Sequence, residues 1–257
     1  MRKRTSKACS NVPNPAPHTP PWSVIEGKKV RIAEAFYDIL RFHVHGIPAP
    51  LILDATAGTR IMYTQLEGEV DKRLLDYQFI FGDLRHELIP KPHLRLDARQ
   101  LPFRSGIFDV VVSDPPFMED WGKIVDRREE AYGYDGWKKE DLYSLLVYCN
   151  SEYARVLKPQ GKLILKIQNQ WMHGRVYFHR ENAIKLLWNF QLCDEIIYYK
   201  RLGRHYLHRA RFKHRDHALI VHSHHLVFTK LPQPASPHYA DIDDRARHAM
   251  IKLPHRT

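Results

Sequence analysis

The sequence predicts an α/β fold built around a mostly parallel β-sheet, and two observations carry this prediction. Short apolar runs alternate with stretches of helical spacing, a pattern typical of βαβ units with buried parallel strands. Most of the runs end in aspartate, which places carboxylates at the carboxyl edge of the sheet, where ligands bind in open folds of this kind. The five runs cover residues 51–54, 77–83, 93–97, 108–114 and 161–170.

A helix is expected before the first of these strands. The residues SVIE at 23–26 have the spacing of a capping box, and the apolar residues between 28 and 45 keep a helical periodicity. Gly46 and Pro48 follow, and residues of these types end helices. The chain then enters the first strand, LILD, and the loop ATAGT.

The second half of the sequence predicts one long helix and two more strands. A helical stretch runs from about residue 138 to 156, and the turn LKPQG separates it from the fifth apolar run. Two later strands are expected at 191–201 and 224–230, close enough in the chain to pair antiparallel.

The composition favours an intracellular, cytoplasmic protein with a polyanionic partner. Lys and Arg number 40 against 29 Asp and Glu, which suggests nucleic acid first, although such a surplus can also serve solubility alone. No apolar run reaches the roughly 18 residues of a membrane span, and the basic N-terminus lacks the apolar stretch of a secretory signal. Three widely spaced cysteines support neither a zinc ribbon nor a disulfide framework.

The loop after the first strand has the composition of a ligand-binding turn. Asp54 ends the strand, and the small residues Ala55, Ala57 and Gly58 allow a ligand to approach the backbone closely. A dinucleotide fingerprint requires the pattern GxGxxG, and this loop has a single glycine. A nicotinamide or flavin site is therefore disfavoured.

The next two acidic strand ends suit a nucleoside. Asp83 stands where a carboxylate can bind ribose hydroxyls, and Asp97, followed by Ala98, can accept a hydrogen bond from an adenine amino group. Each acid alone is equally compatible with an ordinary strand end or helix cap. Their ordered recurrence is the stronger signal.

These residues, together with SDPPF at 113–117 and ARVLKPQGKLIL at 154–165, resemble the class I S-adenosylmethionine-dependent methyltransferases. More narrowly, they resemble the enzymes that methylate exocyclic amino groups of nucleic-acid bases, whose hallmark is Asp/Asn/Ser-Pro-Pro followed by an aromatic residue. The resemblance covers roughly residues 28–230. It implies a Rossmann-like, doubly wound, seven-stranded sheet with the last strand inserted antiparallel.

The resemblance also implies the domain organisation and the cofactor. It predicts a methyltransferase catalytic domain at 22–230, between a disordered basic and Pro-rich arm at 1–21 and a flexible C-terminal tail at 231–257. The cofactor is S-adenosyl-L-methionine, with its methionine end near the loop after the first strand. The predicted cofactor-binding residues are Asp54, Ala55, Thr56, Gly58, Thr59, Asp83, Asp97 and Ala98.

The Asp-Pro-Pro-Phe motif is the predicted catalytic site. The carboxylate of Asp114 and the backbone carbonyl of Pro115 would accept the N–H groups of the target amine and offset its developing positive charge. Phe117 would stack on the base and orient it, and the stiff Pro115-Pro116 pair would hold this arrangement ready. The alternative is an ordinary turn that ends the strand, with Phe117 packed in the core.

Two further segments are candidates for binding the polymer. The aromatic residues of 117–137 suit base stacking or the anchoring of a lid, and the basic segment 200–217 suits phosphate binding. A solvated basic loop remains an alternative, and the histidines of that segment match no standard zinc spacing, so no metal is predicted. The predicted substrate-binding residues are Trp121, Tyr134, Trp137, Arg204, Arg209 and Arg211.

Three functions remain open at this point. The first is an amino-methyltransferase acting on DNA, with adenine N6 slightly favoured, or on RNA bases of rRNA or tRNA. The second is a catalytically silent, methyltransferase-like subunit that binds nucleic acid, which has no need for the acid of the motif. The third is methylation of a protein side-chain amide, which the basic composition disfavours.

Overall fold

The computed structural model describes ten strands and three helices, in residues 24–26, 32–64, 74–85, 87–117, 139–172, 175–199, 220 and 222–232. The predicted N-terminal arm and nearly all of the predicted tail lie outside these residues. The strands are β1 Val24–Glu26, β2 Leu51–Asp54, β3 Gln78–Asp83, β4 Leu94–Arg95, β5 Phe108–Ser113, β6 Leu157–Ile167, β7 Gln170–Met172, β8 Arg175–Tyr177, β9 Phe190–Tyr199 and β10 His222–Lys230. The helices are α1 Ile32–His43, α2 Lys139–Val156 and α3 His179–Leu186.

Eight of the strands form one sheet in the order β1-β9-β10-β6-β5-β2-β3-β4. All neighbours are parallel except β10, which runs antiparallel to both β6 and β9. Without β1, the sheet has seven strands, and the last strand of the sequence is inserted antiparallel beside β6. The predicted Rossmann-like fold is therefore confirmed.

The eighth strand corrects the interpretation of the residues before α1. Residues 24–26 do not cap a helix, because they form β1, in which Val24 pairs with Ile197 at the open edge of β9. The outermost strand of a sheet leaves a row of backbone groups unpaired, and a short segment placed beside it satisfies them. The described part of the following helix begins at Ile32.

The expected turn between α2 and the fifth run lies inside β6. Phe108 of β5 pairs with Leu157, but Val110 already pairs with Lys162, so β6 carries extra residues at this point. Gln160 within this bulge has a positive φ of 64°. The chain does turn here, yet it resumes pairing with β5 on both sides of the irregularity.

Two small elements near the carboxyl edge have no clear signal in the sequence. The hairpin of β7 and β8 uses three residues in each strand, which is too short for a periodicity to emerge. Helix α3 is only eight residues long and has no side-chain hydrogen bond at its N-cap. The third apolar run also forms a strand of only two residues, because it lies at the outer edge of the sheet.

The core lies on both faces of the sheet. On one face α1 packs through Phe36 and Ile39 against Val110 and Val112, and on the other α2 and α3 cover a second cluster. Every residue of β5 is buried, and each large apolar side chain removed from water contributes about 1.5–3 kcal/mol. None of the helices in the described ranges is both long enough and apolar enough to cross a membrane.

Candidate active site

The alternation of side chains along the strands brings five polar residues to one face of the carboxyl edge. Each of them lies two residues beyond a strand residue of the core that packs against α1, so all five project to that face. These polar residues are Asp54 beyond Ile52, Asp83 beyond Phe81, Asp114 beyond Val112, Lys166 beyond Ile164 and, on the antiparallel strand, His225 beyond Val227.

The loop after β2 connects three neighbouring strands at this edge. The backbone N–H of Ala55 donates to the carbonyl of Val112 on β5 at 3.1 Å. The N–H of Gly58 donates to Oδ2 of Asp83 at the end of β3, at 2.9 Å. Gly58 has a φ of +50°, a conformation that favours glycine over residues with a side chain. Thr59, the next residue, is partly exposed.

Asp54 is fully buried beneath this loop. Its carboxylate accepts hydrogen bonds from the backbone N–H of Thr56 at 3.0 Å and from the hydroxyl of Tyr63 at 2.6 Å. Burial outweighs these bonds and raises the pKa of Asp54 to about 7. In this arrangement Asp54 holds the turn of the loop, and its side chain has no exposed surface.

The carboxylate of Asp83 lies at the end of β3, where the sequence places it. Its Oδ1 accepts the backbone N–H of Arg85 at 2.9 Å, while Oδ2 binds Gly58. The Arg85 Nε atom lies 3.5 Å from Oδ1. About 10% of the Asp83 side chain remains exposed, so most of this side chain is shielded from solvent.

Asp97 is paired within its own turn. Arg99 contacts both carboxylate oxygens, with Nε at 2.9 Å from Oδ1 and Nη2 at 2.7 Å from Oδ2. These hydrogen bonds lower the pKa of Asp97. The side chain is one-third exposed, at 33%, and Ala98 beside it is buried, with its carbonyl accepting a hydrogen bond from Sγ of Cys149 at 3.4 Å.

Asp114 connects the Asp-Pro-Pro-Phe motif to both neighbouring strands. Its backbone N–H donates to Oγ1 of Thr56 at 2.6 Å, which joins the motif directly to the loop after β2. Its Oδ2 accepts a hydrogen bond from Nζ of Lys166 on β6 at 2.5 Å, and both side chains are 13% exposed. Sequence reasoning missed Lys166, although a single charged residue in the otherwise apolar run LILKI was a signal.

The rest of the motif lies partly in the core. Pro115 is buried, and Pro116 and Phe117 are partly buried. Phe117 packs against the core cluster on the side of α2 and α3. The ring of Phe117 is therefore neither fully exposed nor fully enclosed. This position is compatible both with stacking on a base and with packing in the core.

The six predicted substrate-binding residues lie outside the described residues. Trp121, Tyr134 and Trp137 fall between Phe117 and α2, and Arg204, Arg209 and Arg211 fall between β9 and β10. Within the residues that the structure describes, no group of three or more His, Cys, Asp or Glu side chains has the arrangement of a metal site. The histidine-rich segment 200–217 is not among them.

Comparisons with known proteins find likeness in fold only. No family model matches the chain, and no curated protein matches it. Among solved structures, TrmN from Thermus thermophilus is 16% identical with a TM-score of 0.44, over 77% of this chain and 48% of TrmN, so the chain spans about half the length of that protein.

Two further solved structures have a similar sequence identity and TM-score. A SAM-dependent methyltransferase from Methanosarcina mazei is 16% identical with a TM-score of 0.45, over 74% of this chain and 97% of its own. The 1,6-didemethyltoxoflavin-N1-methyltransferase from Burkholderia thailandensis, solved with S-adenosylhomocysteine, is 14% identical with a TM-score of 0.42, over 78% of each chain. The fold assignment therefore rests on the strand order itself.

Proposed function

We propose that this protein is an S-adenosyl-L-methionine-dependent methyltransferase that modifies an exocyclic amino nitrogen of a nucleic-acid base. One observation carries the proposal. The carboxylate of Asp114 lies at the carboxyl edge of the sheet, and its backbone is bonded to Thr56 in the loop predicted to hold the cofactor. This hydrogen bond supports the proposal that the predicted catalytic acid and the predicted cofactor loop belong to one site.

The residues at this edge fit the proposed cofactor by the chemistry of their donors and acceptors. The loop from Ala55 to Thr59 is made of small residues, and Asp83 beside it offers a carboxylate to ribose hydroxyls. Asp97 would accept a hydrogen bond from the adenine amino group, which would share the carboxylate with Arg99. The cofactor would supply an electrophilic methyl group on a sulfonium.

The role of the chain in the reaction is to hold the amine and oppose its developing charge. The lone pair of a base amine is delocalised into the ring, so the amine is a weak nucleophile. Oδ1 of Asp114 has no hydrogen-bond partner among the described residues, and it would accept one amine N–H while the carbonyl of Pro115 accepts the other. The partly buried ring of Phe117 would stack on the base and fix its approach.

Nucleic acid is the proposed substrate because of charge as well as the motif. The chain carries a formal net charge of +11, which attracts polyanions and disfavours the protein-amide alternative. A base in a duplex must leave the stack to reach such a site, and a single-stranded base is already accessible. Adenine N6 in DNA is the first candidate, and amino groups of RNA bases are the second.

The experiment that tests this proposal identifies the product. The purified chain is incubated with tritiated S-adenosyl-L-methionine and separate pools of DNA, RNA and protein, and labelled polymers are digested to nucleosides or amino acids. We expect label in one nucleic acid and a single N-methylated nucleoside by mass spectrometry. Label in protein alone, or a ring-carbon or ribose product, would contradict the proposal, and no transfer to any pool would support the silent subunit.

A further inference from the structure

Lys166 lies at the centre of the sheet, between Asp114 at the end of one neighbouring strand and His225 on the other. The register that pairs Ser113 with Leu165 places Asp114 opposite Lys166, and His225 of β10 pairs directly with Lys166 on the other side. Side chains directly opposite one another on neighbouring strands are within contact range. The lysine therefore has an acid on one side and an imidazole on the other.

The imidazole of His225 is fully buried. Neither ring nitrogen has a partner among the described residues, although the ring lies near the backbone of Ile196 without reaching hydrogen-bond geometry. A buried polar group without a partner costs about 1–3 kcal/mol. Burial, and then the charge of Lys166, lowers the pKa of His225 to about 3, so the ring is neutral at physiological pH. A neutral imidazole always has one nitrogen that accepts a hydrogen bond.

The contact between Lys166 and Asp114 poses a difficulty for the proposed chemistry. Nζ of Lys166 lies 2.5 Å from the carboxylate, and an ammonium at this distance cancels much of its negative charge. That negative charge is what would stabilise positive charge on the amine during methyl transfer. An amine bound beside the intact ion pair would gain little from it.

We propose that Lys166 is a positioning residue that exchanges partners, holding Asp114 when no base is bound and donating to His225 when the base amine occupies Asp114. The inference rests on the proposed function. The exchange gives the buried imidazole the hydrogen bond that it lacks and frees the carboxylate for the amine. No covalent bond changes in this step, because Nζ of Lys166 only moves its hydrogen bond from one acceptor to the other.

Two substitutions of His225 separate this role from a structural one. His225→Phe fills the site without an acceptor, whereas His225→Gln retains one in its side-chain carbonyl. We expect kcat for the nucleic acid that the wild type methylates to fall about tenfold in the Phe variant, because the variant loses one hydrogen bond to a charged group. In the Gln variant, kcat should change less than about threefold. A purely structural role predicts the opposite order, because an apolar ring is easier to bury than an amide.

The stability of the free protein provides a second readout. Since His225 has no hydrogen-bond partner among the described residues, the Phe variant should have a thermal midpoint at or above that of the wild type, and it should bind the cofactor equally well. If His225→Phe does not fold, the ring 15N signal of His225 in the wild type is measured with S-adenosylhomocysteine, with and without the nucleic acid. A shift of the acceptor nitrogen towards the hydrogen-bonded position on adding nucleic acid supports the exchange.

The outcomes distinguish this inference from the proposed function. A wild type that methylates nucleic acid, with a Phe variant of equal kcat or an unchanged 15N signal, overturns the exchange and leaves the function intact. A wild type that transfers no methyl group to nucleic acid overturns both.

Discussion

At the scale of single residues, the loop of the candidate site depends on one fully buried carboxyl group, that of Asp54. Asp54 lies beneath the loop after β2 and is held by Thr56 and Tyr63. An ionised carboxylate in such surroundings is costly unless each oxygen has a partner. These two hydrogen bonds therefore hold the shape of the loop, whereas burial, which raises the pKa of Asp54, sets the response of the protein to pH.

Replacing Tyr63 by Phe is expected to lower the free energy of unfolding by about 1–3 kcal/mol, because the variant leaves one oxygen of buried Asp54 without its donor. The ring itself, which packs against Phe36 and Phe81, is unchanged. The measurement is urea denaturation. The control is Tyr199→Phe at an exposed position, which should remain within about 0.5 kcal/mol of the wild type. Equal midpoints for all three proteins would contradict the account.

The raised pKa of Asp54 predicts a stability that falls with rising pH. The folded state holds the proton up to about pH 7, whereas an unfolded aspartate releases it near 3.8, so the contribution is complete below about pH 4 and is lost through pH 7. The loss is on the order of 4 kcal/mol. The measurement is the difference in unfolding free energy between the wild type and Asp54→Asn from pH 4 to 8. A difference that stays constant with pH would rule out the buried, protonated acid.

At the scale of elements, β3 packs closely against the segment after β4. A Cβ added to Gly82 would lie 2.3 Å from a side-chain carbon of Leu96, far closer than carbon atoms pack. The carbonyl of Gly82 also accepts the N–H of Ala57 at 2.9 Å. A displacement of β3 here would therefore move the loop of the candidate site.

Gly82→Ala is accordingly expected to destabilise the protein by about 1–3 kcal/mol through overpacking, and to weaken cofactor binding. Leu96→Ala alone should cost about 2–5 kcal/mol, because it leaves a cavity. The double variant tests the cause: it should be more stable than the sum of the two single losses predicts, as residues in contact couple. If the two losses in free energy of unfolding simply add in chemical denaturation, Leu96 is not the side chain that opposes the added methyl group.

At the scale of the whole molecule, the net charge of +11 gives the clearest expectation for substrate binding. A protein that neutralises phosphates with Lys and Arg releases counterions, so its affinity falls linearly with salt on logarithmic axes. Among its cations, the sequence assigns this role first to Arg204, Arg209 and Arg211.

We expect the affinity for an oligonucleotide to fall steeply between 50 and 200 mM salt, and the slope to decrease by about 2–3 when these three arginines are replaced by alanine, at roughly 0.9 for each phosphate contact. Fluorescence anisotropy of the labelled oligonucleotide measures the affinity at each salt concentration. Lys185→Ala, an exposed lysine on α3, serves as the control and should keep the slope of the wild type. A triple variant with an unchanged slope would remove the arginine segment from the interface.

The sequence predicted the parts of this molecule that depend on local pattern. Continuous apolar runs identified the central strands, and the acids at their ends fell at the carboxyl edge because parallel strands share direction. The pairing of Asp114 with Lys166 was not predictable, because 52 positions separate the residues and a bulge in β6 sets the register between them. Strand β1 escaped prediction because three residues at a sheet edge carry no periodic signal.

The central claim is that the Asp114 carboxylate promotes methyl transfer without holding the cofactor, and one pair of assays on Asp114→Ala tests it directly. Calorimetry measures binding of S-adenosyl-L-methionine, and tritium incorporation measures single-turnover transfer to the nucleic acid that the wild type modifies, with Asp38→Ala on the surface of α1 as the control. We expect cofactor affinity within about twofold of the wild type and transfer reduced by at least about 100-fold, the loss of one well-placed charge-stabilising group. Transfer at the wild-type rate in Asp114→Ala would contradict the account.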